Sequence, residues 1–233
     1  MEKLDPTSLQ PKLSSGVACI DTVMGGGIES GVITEIFGEG GAGKSNLAML
    51  FTISALSSGK KVIFLDSEGF STERFLQLNS SRTDNMDNLL LYRVSSLDDQ
   101  EVSIIKASKL TEKPGGVGVV VIDSFTEFFR LENFQDYQSR SSAFQRQLNL
   151  LTGIAVRNSI PVLLTNQIYQ DPDSGNLHPF GGFLMDHLMK AIFRVEKTAG
   201  GGRKISVVKH RSIAEGKSAI FRLMEYGISC EVP

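Results

Sequence analysis

Tryptophan is absent from the 233 residues, and cysteine occurs twice, as Cys19 and Cys230. No CxxC pair exists, which argues against a zinc ribbon or a thioredoxin-type centre. Two thiols so far apart in sequence read as reduced side chains of a cytoplasmic protein. The three histidines, His178, His187 and His210, stand in no metal-ligand spacing. No apolar run approaches the ~18 residues of a membrane span. The segment before Gly16 lacks the apolar stretch of a signal peptide. A cytoplasmic location is therefore expected. Net charge is also scarce: 24 Lys+Arg against 26 Asp+Glu leave −2. That excludes a uniformly basic nucleic-acid coat but leaves room for a local patch.

What is present fits a soluble globular protein, with 41% hydrophobic and 21% charged residues. Residues 1–12 read as a short polar lead-in and 13–233 as a single domain. Strand-like runs at 32–37, 62–65, 89–94, 117–122 and 161–164 alternate with helical patterns at 44–58, 72–78, 98–110 and 139–157. Leu47, Leu50, Phe51 and Ala55 mark one inner face, and Phe144, Leu148, Leu151 and Ala155 another. Val102, Ile105 and Leu110 are the expected inner positions of the third helix. Val117–Ile122 is nearly all β-branched, as a strand covered on both faces should be. Pro114-Gly115-Gly116 breaks the chain before it. Beyond about residue 166 come four β-like runs, 188–196, 203–209, 217–224 and 227–232, with no helix between them. The expected fold is α/β: a mostly parallel twisted sheet flanked by helices and extended by C-terminal antiparallel strands.

Glycine is the residue in excess, and nine of the 23 fall between Gly16 and Gly43. Gly38-Glu39-Gly40-Gly41-Ala42-Gly43-Lys44-Ser45 fits GxxxxGK(S/T) at every fixed position. Such a loop between strand and helix curls its backbone N–H groups around phosphates, at the positive end of the helix dipole. Lys44 then reaches the β/γ-phosphates and the Ser45 hydroxyl coordinates Mg²⁺. Asn46 follows on the same helix start. Asp123, ending an apolar strand, is the expected companion carboxylate, holding the metal through water or assisting Ser45. Ser124 reads better as a turn cap. Glu68, at the end of the second strand, is the general-base candidate, or else a solvated loop acid. Gln167, in Thr165-Asn166-Gln167 at the end of the fifth strand, is positioned to hydrogen-bond a γ-phosphate.

Together these pieces resemble the RecA-type recombinase ATPases, specifically the archaeal recombinase group. The similarity begins with Ser15-Gly16, Asp21, Gly25-Gly26-Gly27-Ile28-Glu29-Ser30-Gly31 and Ile33-Thr34-Glu35-Ile36. It continues through Asp66-Ser67-Glu68-Gly69, Glu73-Arg74, Asp123-Ser124-Phe125-Thr126, Phe129-Arg130 and Thr165-Asn166-Gln167. It closes with Glu215-Gly216, Ala219-Ile220-Phe221-Arg222 and Gly227-Ile228, so it spans about 13–230. The resemblance implies a RecA-like P-loop ATPase core. It implies that Glu68 activates water, that Gln167 senses the γ-phosphate and that Arg74 packs near the adenine. It also implies sites lying between subunits.

The strand-exchange recombinases carry a front helical DNA-binding domain and a Phe-x-x-Ala hook before this core, and the dozen residues before it here are expected to supply neither. The loop at 168–182 carries Asp171 and Asp173 and no Lys or Arg, which suits DNA phosphates poorly. The truncated core is therefore similar to an accessory paralogue of the main archaeal recombinase, RadA. Residues 187–217 hold eight Lys/Arg and two acids, +6, while the rest of the chain carries −8. Lys209, His210 and Arg211, with Arg203 and Lys204, are the DNA-contact candidates, and Arg140 is a lesser one; the alternative is a solvated strand surface. The expectation is a recombination accessory protein that binds ATP, Mg²⁺ and DNA, hydrolyses ATP weakly and has no strand exchange of its own. Its partners would be DNA and RadA, and it would be a monomer or weak homo-oligomer. The competing expectation is a nucleotide-gated binding module with negligible catalysis.

Overall fold

The computed structural model describes residues 10–80, 83–113, 116–170, 177–182, 185 and 188–231. Pro114 and Gly115 of the expected break, Asp171 and Asp173 of the acidic loop, and His187 lie outside the described residues. The chain runs β1 (Lys12–Leu13), α1 (Ala18–Val23), β2 (Ile28–Glu29), β3 (Ile33–Gly38), α2 (Lys44–Ser57), β4 (Lys61–Asp66) and α3 (Thr72–Leu78). It continues through β5 (Leu89–Arg93), α4 (Leu97–Thr111), β6 (Val117–Asp123), α5 (Glu127–Leu131), α6 (Tyr137–Asn158), β7 (Val162–Gln170) and β8 (Leu177–Pro179). β9 (Ala191–Lys197), β10 (Arg203–His210), β11 (Ser218–Leu223) and β12 (Ile228–Glu231) complete it.

The main sheet has the order β12-β11-β10-β9-β3-β7-β6-β4-β5, with β8 added antiparallel to β7. Every pairing from β9 to β5 is parallel. β10, β11 and β12 extend the sheet antiparallel. One of the four C-terminal runs thus belongs to the parallel part: β9 lies directly beside β3, and the antiparallel extension starts one strand later than the sequence suggests. β7 also outruns its expected end. Thr165-Asn166-Gln167 are within the strand, which continues to Gln170 and turns back as β8.

Period-2 alternation on β6 distributes its side chains between two cores. Val119 and Val121 join α1, α2 and α3 on one face. Val120 and Ile122 join α4, α5 and α6 on the other. α2 buries Leu47, Leu50, Phe51 and Ala55 as the pattern predicts, and α6 buries Phe144, Leu148, Leu151 and Ala155. A reciprocal capping box of Asp136 and Ser139 starts α6.

The inner face of α4 differs from the expected one. Val102 and Ile105 are exposed and Leu110 is half-buried, while Leu97, Gln100, Ser103, Ile104 and Ala107 are buried. The reason is polar: Gln100 Nε2 donates to Phe125 O at 3.0 Å and to Gln147 Oε1 at 2.9 Å, which turns that stripe inward. The cysteines also depart from the reduced reading. Cys19 and Cys230 form a disulfide, with Cα atoms 5.8 Å apart, because β11 packs on α1 and brings β12 to the helix. Among the described residues, no helix is long and apolar enough to cross a membrane.

Candidate functional site

The C-terminal ends of β3, β4, β6 and the middle of β7 meet at one edge of the sheet. β3 leaves this edge through Gly38, where a Cβ would stand 2.1 Å from Val195 O, so only glycine fits beside β9. The loop closes at Gly43, whose φ of 107° is left-handed, and α2 begins at Lys44 with no described side chain capping its first turn. Free amides at the positive end of a 14-residue helix fit a phosphate group. Lys44 is 5% exposed, and its Nζ donates to Gly38 O at 2.9 Å and Glu39 O at 3.0 Å. Burial pushes its pKa down, opposed by the nearby acids Glu68, Asp123 and Glu39.

Ser45 donates a side-chain hydrogen bond to Asp123, and Thr165 Oγ1 donates to Asp123 Oδ1. Asp123 is 4% exposed; burial raises its pKa, and both hydroxyls oppose that rise. The juxtaposed Ser45 hydroxyl and Asp123 carboxylate are hard oxygen donors, which fits Mg²⁺. Ser124 is fully buried, and its Oγ has no hydrogen-bond partner among the described residues, so it caps nothing.

Glu68 is held from below and from the side. Asp66 accepts from the backbone N–H of Glu68 (3.2 Å), Gly69 (2.8 Å) and Phe70 (2.7 Å). Ser67 fastens this loop to the end of β6: its Oγ donates to Ser124 O and accepts from Ser124 N–H, each at 2.9 Å. Gln167 Nε2 donates to Glu68 Oε1 at 2.6 Å, and Arg130 Nη1 donates to Gln167 Oε1 at 2.5 Å. Glu127 Oε2 completes the set, 3.3 Å from Arg130 Nη1. Gly40, Gly41, Gly43, Lys44, Ser45, Asn46, Glu68 and Gln167 line a common cavity of about 120 Å³.

Arg74 reaches the same region from α3. Its Nε donates to Asn46 Oδ1 at 2.6 Å, and its Nη1 donates to Glu225 O at 2.8 Å, in the turn between β11 and β12. Burial lowers its pKa.

The expected basic patch is divided between two ends of the sheet. Arg203 faces the phosphate loop, with Nη2 donating to Gly41 O at 3.3 Å, and Lys197 lies 3.9 Å from Glu39. At the opposite end, His210 is paired in register with Ala191 and its side chain is 2% exposed. Arg211 Nη2 is 2.6 Å from Glu29, which is 5% exposed and also faces Lys12 at 3.5 Å. Lys209 and Lys190 are exposed there, and Lys204 is half-buried. Arg140 lies on α6 with its guanidinium 5.0 Å from the Phe180 ring centre.

Four residues of the site escaped the sequence reading in this role: Asp66, Thr165, Glu127 and Arg130. Asp66 had a local signal, an acid followed by Ser-Glu-Gly that can cap the turn it begins. Glu127 had none and Arg130 only the family resemblance of Phe129-Arg130, which says nothing of this contact, because both meet Gln167 only through the pairing of β6 and β7.

A family model described as Rad51 matches residues 10–231. The chain is 55% identical over 231 residues to the DNA repair and recombination protein RadB of Thermoplasma acidophilum, covering 98% of this chain and 100% of that one. It is 56% identical over 232 residues to the protein of the same name from Thermoplasma volcanium, covering 100% and 98%. A solved structure, the crystal structure of the RadB recombinase, matches with a TM-score of 0.80 at 32% identity, over 94% of this chain and 100% of that one. With the loop, the acids and the glutamine in place on this sheet, the chain belongs to the Rad51 family of RecA-type proteins and groups there with RadB.

Proposed function

We propose that this chain is an accessory protein of DNA repair and homologous recombination that binds ATP with Mg²⁺, binds DNA and hydrolyses ATP weakly. It assists RadA and performs no strand exchange of its own. The supporting observation is the convergence on one cavity of Lys44, Ser45 and the Glu68–Gln167 pair, with Asp123 hydrogen-bonded to Ser45. The amides of 40–45 and Lys44 hold the phosphates, Ser45 and Asp123 hold the metal, and Asn46 and Arg74 border the remainder of the nucleotide. When bound, MgATP supplies the electrophilic phosphorus and screens its charge. Glu68 then takes the proton of an attacking water, and Gln167 presents a donor to developing negative charge. Lys44→Ala should abolish MgATP binding in calorimetric titration; unchanged affinity would overturn the nucleotide reading.

The DNA reading is supported by Lys190, Lys209 and Arg211, grouped at the end of the sheet away from the phosphate loop. Phosphate contact there makes binding salt-sensitive and largely independent of sequence. Replacing Lys190 and Lys209 by Ala should weaken DNA binding and reduce the log–log salt slope by about two. An unchanged slope would remove this surface from consideration. The nucleotide-gated alternative draws support from Arg130, which links Gln167 to α5. Under that reading ATP and a non-hydrolysable analogue change RadA binding equally.

A further inference from the structure

Gln167 carries both a donor and an acceptor on one amide, and the two ends behave oppositely toward a phosphate. Its orientation is fixed by its neighbours. A guanidinium has donors only and a carboxylate acceptors only. Arg130 Nη1 at 2.5 Å therefore takes the Gln167 carbonyl oxygen, and Glu68 Oε1 at 2.6 Å takes the Gln167 NH₂. Glu127 holds Arg130 in turn, with its Oε2 at 3.3 Å, and stands 3.5 Å from Gln167 Nε2. A flipped amide would face Arg130 with a donor and Glu68 with an acceptor, losing both bonds. An exposed Arg–Glu pair at i,i+3 contributes little by itself. This one differs because the arginine touches a side chain that lines the phosphate cavity.

We propose that Arg130 is a positioning residue that makes this site prefer a nucleoside triphosphate to a diphosphate, by keeping the donor end of Gln167 turned toward the phosphate cavity. The proposal rests on the nucleotide reading above and adds a residue outside the cavity wall. A γ-phosphate accepts hydrogen bonds only, so it gains from the NH₂ of Gln167 and is repelled by its carbonyl. A diphosphate, lacking that group, is indifferent to the orientation. With Arg130 removed, the Gln167 oxygen loses the donor that holds it on the α5 side, and only the Glu68 and Glu127 carboxylates still favour this orientation of the amide. Arg130 thus acts through Gln167 and leaves the phosphate loop untouched.

The experiment compares Mg-ADP with the Mg complex of β,γ-imido-ATP, by titration against the full chain. Arg130→Met keeps the aliphatic bulk and removes the donors. It should weaken the triphosphate analogue about tenfold, as for a hydrogen bond to a charged group, and leave ADP unchanged. Arg130→Lys, which can still donate to the same oxygen, should restore most of the preference. Gln167→Ala should lose the preference as well, and adding Arg130→Met to it should cause no further loss. In turnover, Arg130→Met should lower kcat more than it raises KM. An unchanged triphosphate-to-diphosphate ratio in Arg130→Met would overturn the proposal. So would equal weakening of both nucleotides, which marks a general structural role. Failure of the nucleotide reading itself would look different: Lys44→Ala would then bind both nucleotides like the parent chain.

Discussion

Asp66 makes its contribution through backbone amides alone. Three consecutive N–H groups, from Glu68 to Phe70, converge on a carboxylate that is 5% exposed. Asp66→Ala leaves them without their acceptor, at a cost of about 1–3 kcal/mol. It also frees the loop that holds Glu68. Turnover should therefore fall while nucleotide affinity is kept; equal loss of both would show that Asp66 does not act by placing Glu68. His210 supplies a second prediction at this scale. Burial lowers its pKa from the ordinary 6.5, against the pull of Glu29 and with the help of Lys12 and Arg211. Its Nδ1 accepts from Ser212 N–H at 3.1 Å, as a neutral ring does. The unfolded chain therefore binds this proton more readily than the folded one, and stability rises with pH through the window below 6.5. Thermal melts from pH 7 to pH 5 should show an acid loss that is smaller in His210→Phe. An identical acid loss in the two chains would exclude His210 as its source.

Elements show which residues a sequence reveals and which it hides. The strand–loop–helix turn was legible because its glycines, Lys44 and Ser45 are contiguous in sequence. Asp123 and Glu68 were legible as acids at strand ends, since a parallel sheet gathers those ends at one edge. α4 was misread because hydrophobic spacing pointed to Val102 and Ile105, whereas the buried stripe is organised by Gln100 and its partners 25 and 47 residues away. No local pattern encodes Gln147 and Phe125 O as the destinations of that amide. Gln100→Leu strips both acceptors of their donor and should cost about 1–3 kcal/mol in denaturant melts. Val102→Thr, at 46% exposure, should change stability by no more than about 0.5 kcal/mol. If the two substitutions are equivalent, the polar account of this helix fails. The parallel placement of β9 was hidden for a related reason. Its sequence reads like the three strands after it, and only the register against β3 distinguishes it.

At the scale of the whole molecule, charge and covalent linkage are both long-range arrangements. The cations of residues 187–217, one run in sequence, separate in space because β9 and β10 are antiparallel. Lys197 and Arg203 come to the phosphate loop, and Lys190, Lys209 and Arg211 to the far end. The Cys19–Cys230 disulfide spans 211 residues and ties α1 to the last strand. That strand is joined to β11 by the turn whose Glu225 carbonyl receives Arg74. The bond therefore restrains the edge of the sheet that borders Asn46 and the cavity it lines. Closing so long a loop limits the unfolded chain, and the chain-entropy model puts the effect at about 5 kcal/mol. For a domain of this size that corresponds to roughly 10 °C in melting temperature. Dithiothreitol should lower the melting temperature of the parent chain by about this amount and leave Cys19→Ser unaffected. Cys19→Ser without reductant should already melt at the temperature of the reduced parent, since both have lost the same constraint. Parent and variant melting together, with and without reductant, would mean that the two thiols do not constrain the fold.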